Sequence, residues 1–359
     1  AYARQMDTND AFIKELAGYR KQLAQPYLVD NQVTDQLILE AYNRMLEEVN
    51  VSHILILCSK DDLPKDTLIA FNKVNGIRKQ IMDNKISFDS AAKNMSEDPS
   101  AKSNNGLLGY FSAFQMIYPF ENTAYNTQKG MISKSFRTQF GYHILRVNDR
   151  RQSQGELKVA HIMVRFNNES EVAAAREKID AIYKKLTAGE KFDDLVKQYS
   201  EDYSTKANNG EMNWFKSTSQ LPNDFKETAF ALKNVGDYSL PVKTEFGWHI
   251  IKKVEQKGIP SLAEQKETLK YKVSRDERSQ MSSKVVLERL KKDNKFTQNG
   301  KELTKYTSTV DTSLLRGTWV AGGNSKTNTV LFTIANQKYT FTDFSNFIID
   351  FQTPKKSGK

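Results

Sequence analysis

Apolar positions change their spacing several times along the chain, and each change marks an element. Over residues 1–50 they recur at helical steps. Phe12, Leu16 and Tyr19 mark one helix; beyond a break at Pro26, Val33, Leu37, Ala41, Tyr42, Met45 and Val49 lie near one face of a second, which Asp30 or Thr34 can cap. Residues 51–57 read as an apolar strand interrupted by His53, and Pro64 suits the first turn of a helix carrying Leu68, Phe71, Val74 and Ile77. A short helix from Phe88, a turn-rich loop over 96–106, a strand at 108–111, a helix over 116–125 and a hairpin turning at Gly141 follow.

The same order then recurs. A strand at 159–164 precedes a helix with Val172, Ala175, Ile179, Ile182 and Leu186 at steps of three and four, a turn ending at Gly210, and a closing hairpin. Two segments are nearly superimposable: TQFGYHIL at 138–145 against TEFGWHII at 244–251, with VSHILI at 51–56 against VAHIMV at 159–164. All four histidines fall in matched places, His53 and His143 being 90 residues apart and His161 and His249 88 apart. A unit this long, present twice, is a tandem duplication of a domain rather than a solenoid. The expected fold class is α+β, with first and second domains at 51–150 and 157–255, an N-terminal helical segment at 1–50 and a C-terminal segment at 261–359. That last segment reads as one charged helical stretch over 261–296, a hairpin around Asn336 and a helix capped at Thr342; residues 353–359 read as a frayed end. The N-terminal segment is too small to fold alone and must pack on something else.

Composition narrows the function classes. The chain of 359 residues carries a formal net charge of +10, but its basic residues are interleaved with acidic ones and form no dense run, which argues against nucleic acid. No apolar run reaches the length of a membrane span. A single cysteine, Cys58, excludes an intrachain disulfide and reads as a buried strand residue. The chain opens at Ala1 with neither an initiator Met nor an apolar leader core, as expected after removal of a leader or after cutting from a longer chain.

Three chemistries compete for a histidine pair on adjacent strands. Metal binding needs three or four ligands, and only Asp98 or Asp202 is available beside the pair, so no metal and no cofactor is expected. Nucleophilic hydrolysis needs a paired Ser or Cys, absent at matched positions. An uncharged, hydrogen-bonded histidine core within an apolar cleft asks only for the two histidines and a polar neighbour.

At these residues the chain resembles the parvulin-type (PpiC, or rotamase) peptidyl-prolyl cis-trans isomerases, whose signature is a histidine strand, a Ser-x-Asp-x-Ser loop, a glycine turn into Leu-Gly-aromatic-Phe and a closing Phe-Gly-x-His-Ile. His53, Asp98 between Ser96 and Ser100, Gly106, Leu108, Phe111, Met116, Phe120, Thr138 and His143 supply it once. His161, Asp202 between Ser200 and Ser204, Gly210, Met212, Phe215, Leu221, Phe225, Thr244 and His249 supply it again. The resemblance implies two small antiparallel four-stranded sheets, each surrounded by helices. It further implies non-covalent acceleration of Xaa-Pro rotation, with Asp98 or Asp202 beside the rotating carbonyl. Leu108, Met116 and Phe120, or Met212, Leu221 and Phe225, would hold the proline ring, while Thr138 or Thr244 ties the histidines to the sheet. The competing reading is that the histidines are structural and the acids cap loops.

Helices before and after the pair resemble SurA-like periplasmic isomerase-chaperones. This implies a mainly helical core from both ends of the chain, a periplasmic location, and unfolded or exported polypeptides as clients, outer-membrane protein precursors among them. The alternative is a holdase that uses the parvulin domains as peptide-binding modules. Two departures stand out. Asn213 occupies the place of Gly109, which a left-handed asparagine would accommodate. Neither the 59–64 loop nor the 165–170 loop holds an arginine cluster, which implies unphosphorylated substrates.

Overall fold

The computed structural model describes residues 9–60, 62–325 and 327–352; the tail at 353–359 and the residues at Ala1 lie outside the described residues. Helices α1 (Asp10–Ala24) and α2 (Asn31–Met45) form from the first two stripes. Helix α2 buries Leu37, Ile38 and Ala41, whereas Phe12, Leu16 and Tyr19 of α1 are exposed. Val49, read as helical, lies in the following strand, β1 (Glu47–Leu57). That strand begins earlier than its apolar run because cross-strand ion pairs hold its polar start: Glu47 meets Arg150 at 2.6 Å and Glu48 meets Arg151 at 2.8 Å.

The first domain continues through α3 (Pro64–Met82), α4 (Phe88–Met95), the short α5 (Ala101–Asn104), β2 (Leu107–Phe111), α6 (Tyr118–Asn126), β3 (Phe136–Arg137) and β4 (Gly141–Gln152). Its strands form one antiparallel sheet in the order β2-β1-β4-β3. Both faces of the central pair are covered. Ile54, Ile56 and Ile144 pack with Val74, Ile77 and Phe88 on one side; Val49, Val51, Leu145 and Val147 pack with Phe111 and Phe120 on the other. A strand buried on two faces reads as a continuous apolar run, not as an alternation.

The second domain repeats the plan with β5 (Glu156–Arg165), α7 (Val172–Thr187), α8 (Phe192–Tyr199), α9 (Tyr203–Lys206), β6 (Phe215–Lys216), α10 (Asn223–Ala231), β7 (Val242–Thr244) and β8 (Gly247–Lys257). The order is β6-β5-β8-β7, again antiparallel. Asn213 does not take the expected left-handed conformation, although Gly109 does at φ +77°. The second copy reaches its edge strand differently: Glu211 makes an isolated bridge to Ala160, and regular pairing resumes only at Phe215.

The charged stretch after 261 is two helices, α11 (Leu262–Arg275) and α12 (Ser279–Asp293), rather than one. Arg278, between them, turns inward and is fully buried. Its guanidinium pairs with Glu121 and Asp276, both at 2.9 Å, and lies over the rings of Phe114 and Tyr118. Glu121, itself fully buried, also accepts from Arg44 at 2.9 Å and from the Phe114 backbone N–H at 2.8 Å.

Asp35–Arg278 form one compact unit, and the residues up to Thr34 form another with those from Ser279 onward. In the latter, Asp30 N–H donates to Ser282 Oγ at 2.6 Å and Arg289 pairs with Asp30 at 3.0 Å. Beyond α12 come β9 (Thr297–Gln298), α13 (Gly300–Thr307), β10 (Val330–Ile334), β11 (Gln337–Thr340) and α14 (Phe341–Phe351), packed around Tyr306, Trp319 and Leu331. Thr340, not Thr342, caps α14, in a reciprocal bond with Asp343.

Candidate functional site

Strand register explains how histidines far apart in sequence meet. His53 lies opposite Leu145 and His143 opposite Leu55, so the two rings are diagonal neighbours on one face of the β1–β4 pair; His161 and His249 repeat this on β5 and β8. A glycine turn presses on each histidine strand. His53 N–H donates to the Gly106 carbonyl at 2.8 Å and His161 N–H to that of Gly210 at 2.9 Å. Both glycines have φ near +77°, and a Cβ on Gly106 would lie 2.3 Å from the His53 carbonyl oxygen. Only glycine fits there.

In the first domain, His53 Nε2 is 2.7 Å from Asp98 Oδ2, its Nδ1 is 3.4 Å from His143 Nδ1, and His143 Nε2 is 2.8 Å from Thr138 Oγ1. The second domain has the same chain: Asp202, His161, His249 and Thr244 at 2.7, 3.2 and 2.8 Å. One proton arrangement satisfies every atom. An ionised Asp98 only accepts, so His53 Nε2 carries hydrogen; neutral His53 then accepts at Nδ1 from His143, whose bare Nε2 accepts the Thr138 hydroxyl. Thr138 Oγ1 is held in turn by the Phe140 N–H at 3.1 Å.

Electrostatics agree with this directional relay. Burial, reinforced by the facing histidine, brings the pKa of His143 and of His249 down to about 3. Burial also lowers His53 against the pull of Asp98. Burial works to raise Asp98, but the Ser100 backbone and hydroxyl and the His53 ring hold it below its ordinary value. Asp202 is depressed further: the His161 bond leads, and bonds from Thr205 and Ser204 outweigh its burial.

Apolar residues complete each cleft. The Phe120 ring stands edge-on to His53 and His143 at 5.6 and 5.7 Å, with Leu108 and Met116 packed in the same cluster. Phe225 does the same for His161 and His249, at 5.7 and 5.3 Å. A cavity of about 190 Å³ opens between Met212, Leu221, Phe225, Thr244, Asp202 and the second histidine pair. Met163, Arg165, Pro222 and Phe246 also line it and were not picked out from the sequence. Nor was Phe136, stacked on His143 at 5.3 Å, whose counterpart opposite His249 is Val242. Ser100 and Ser204 were legible in the repeated loop motif; Thr205, bonded to Asp202 Oδ2 at 2.7 Å, was not, because Ala101 stands in its place in the first copy.

Among the described residues, no group of three or more His, Cys, Asp or Glu side chains could hold a metal ion, and no helix is long and apolar enough to cross a membrane.

Comparison with known protein families picks out these same segments. Residues 37–151 and 161–255 each match the PpiC-type PPIase domain, and the two matches together span more than half of the chain. The chaperone SurA of Methylobacillus flagellatus is 30% identical over 234 residues, covering 64% of this chain and 52% of its own. That of Hahella chejuensis is 30% identical over 229 residues, covering 62% and 52%. The chain therefore spans about half the length of the curated relatives it matches. The solution structure of NmPin, the parvulin of Nitrosopumilus maritimus, is 37% identical and covers 28% of this chain and 97% of its own, with a TM-score of 0.22. With the histidine relay and its motif present twice, the chain belongs to the PpiC-type, or parvulin, family of peptidyl-prolyl isomerases and carries two of its domains in tandem.

Proposed function

We propose that both clefts accelerate cis–trans rotation about Xaa-Pro bonds in unfolded polypeptides. One observation carries this reading: in each domain a carboxylate, fixed by its bond to a histidine of the buried pair, stands beside an apolar cluster. The bond resists rotation by about 18–20 kcal/mol because resonance places double-bond character in C–N and negative charge on oxygen. A fixed negative charge near that oxygen disfavours the planar resonance form, while the twisted amide carries less charge there and is favoured by comparison. Leu108, Met116 and Phe120 hold the proline ring in one cleft; Met212, Leu221 and Phe225 hold it in the other. Thr138 and Thr244 orient the relays. His53, His143, His161 and His249 act by fixing Asp98 and Asp202, and no covalent step is involved.

The clients are unphosphorylated and exported, with the periplasm as the compartment and outer-membrane protein precursors among them; likeness to the SurA chaperones supports this. A second reading, client holding, draws on a separate feature: Phe12, Ile13, Leu16, Tyr19, Leu23 and Tyr27 are all exposed along one N-terminal segment. The test is the combined Asp98→Ala and Asp202→Ala variant. It should lose cis-to-trans catalysis on short Xaa-Pro peptides, retain its circular dichroism spectrum and still suppress aggregation of an unfolded client. An undiminished rate refutes the role of the acids, and a phosphoserine-proline peptide turned over much faster than its plain twin refutes the substrate assignment.

A further inference from the structure

A cavity of about 260 Å³ lies within the Asp35–Arg278 unit, away from both relays. It is built where the first domain's 112–115 turn, the linker at 153–156, the second domain's Lys216 and Thr218, the segment 257–260 and α11 come together. None of these residues takes part in either histidine chain.

Three independent features mark it as a built site. Phe114 has φ +66°, a conformation that a bulky residue rarely adopts, and is held there by the bond from its N–H to Glu121. Thr218 Oγ1 is buried with no hydrogen-bonding partner among the described residues, although buried hydroxyls are ordinarily satisfied. Finally, the lining carries three lysines, Lys216, Lys257 and Lys272, against two acids.

Those acids are largely engaged. Glu48 is tied to Arg151 at 2.8 Å and to the Ser217 hydroxyl at 2.5 Å, and Glu156 faces Lys216 at 3.8 Å. Lys257 has a distant partner in Glu255 at 3.9 Å and lies over the Trp214 ring. Lys272, over the Phe114 ring, has no carboxylate within ion-pair distance among the described residues. Desolvation and the charge of Lys216 push its pKa down, with Glu156 opposing.

We propose that this cavity binds an acidic side chain, aspartate or glutamate, of an extended polypeptide, with its carboxylate between Lys272 and Lys216 and the Thr218 hydroxyl donating to it. Lysines offer compact point charges to an anion, and Met45, Phe114, Ile259 and Pro260 give apolar contact to residues beside an acidic side chain, which an inorganic anion would not use. The volume exceeds the roughly 150 Å³ that accommodates a benzene ring. The cavity uses none of the isomerase residues, so the proposal stands apart from the rotamase reading.

Calorimetry on the full chain tests it with acetyl-Ala-Glu-Phe-Glu-Ala-amide and its glutamine twin, neither of which contains proline. The glutamate peptide should bind on the order of tenfold or more tightly than the twin. The Lys216→Gln/Lys272→Gln variant should lose that preference while Xaa-Pro isomerisation is unchanged, and Asp98→Ala/Asp202→Ala should keep it. Equal binding of the two peptides, no binding of either, persistence of the preference in the lysine variant, or displacement by inorganic phosphate at equal concentration would each overturn the proposal.

Discussion

Acidification separates the relay's chemistry from its cost in stability. His143 and His249 have pKa values of about 3 in the folded chain against an ordinary 6.5, the unfolded value. The unfolded state therefore binds a proton more readily. The relay's contribution to stability is complete above about pH 6.5 and falls as pH drops toward 3. Each pH unit within that window removes about 1.36 kcal/mol per histidine. Between pH 7.5 and 5.0 about 1.5 units lie inside it, so each domain loses about 2 kcal/mol, with lowered His53 adding to the first. Asp98 and Asp202, also lowered, contribute only once pH falls below the ordinary carboxylate value, outside this range. Urea unfolding at the two pH values, followed by Trp214 and Trp248 fluorescence in a Trp319→Phe background, should show the loss in the second domain. His249→Phe should be weaker at pH 7.5 yet lack about 2 kcal/mol of the pH dependence. Identical unfolding free energies at both pH values would refute the lowered values of His143 and His249.

Two further outcomes follow from burial and backbone geometry. Glu121→Ala leaves Arg278 and Arg44 buried without their shared carboxylate and should destabilise the Asp35–Arg278 unit by about 3–5 kcal/mol in denaturant titration; a change below 1 kcal/mol would show that the arginines find water. Gly210→Ala places a Cβ 2.5 Å from the His161 carbonyl oxygen at φ +78°, so that turn must move. Isomerisation by the isolated second domain should fall with its stability, and an unaltered melting temperature would contradict the close approach.

The duplication made much of the cleft legible. A histidine seen once on an apolar strand says little, but His53 and His161, like Asp98 and Asp202, recur within matching neighbours, and adjacent strands bring them together. What repetition does not mark stayed hidden. Thr205 and Phe136 each occur in one copy only. Arg278 sits among charged residues that read as solvated and Glu121 is a lone acid on a short helix, and each finds its partner 157 positions away. The polar start of β1 was lost for a similar reason: its stability lies in Arg150 and Arg151, about a hundred residues downstream. The exposed stripe of α1 is the converse case, a periodicity correct in spacing but uninformative about what covers it.

Each relay closes entirely within its own domain, and this has an evolutionary consequence. Neither cleft borrows a hydrogen-bonding residue from the other, so one copy can drift at its rim while its twin preserves the original task. The drift is visible at the last position of the histidine strand, where Leu57 in the first copy matches Arg165 in the second. The histidines, aspartates and threonines of the relays are common to both copies; the residues around them have diverged, Thr205 against Ala101 and Val242 against Phe136.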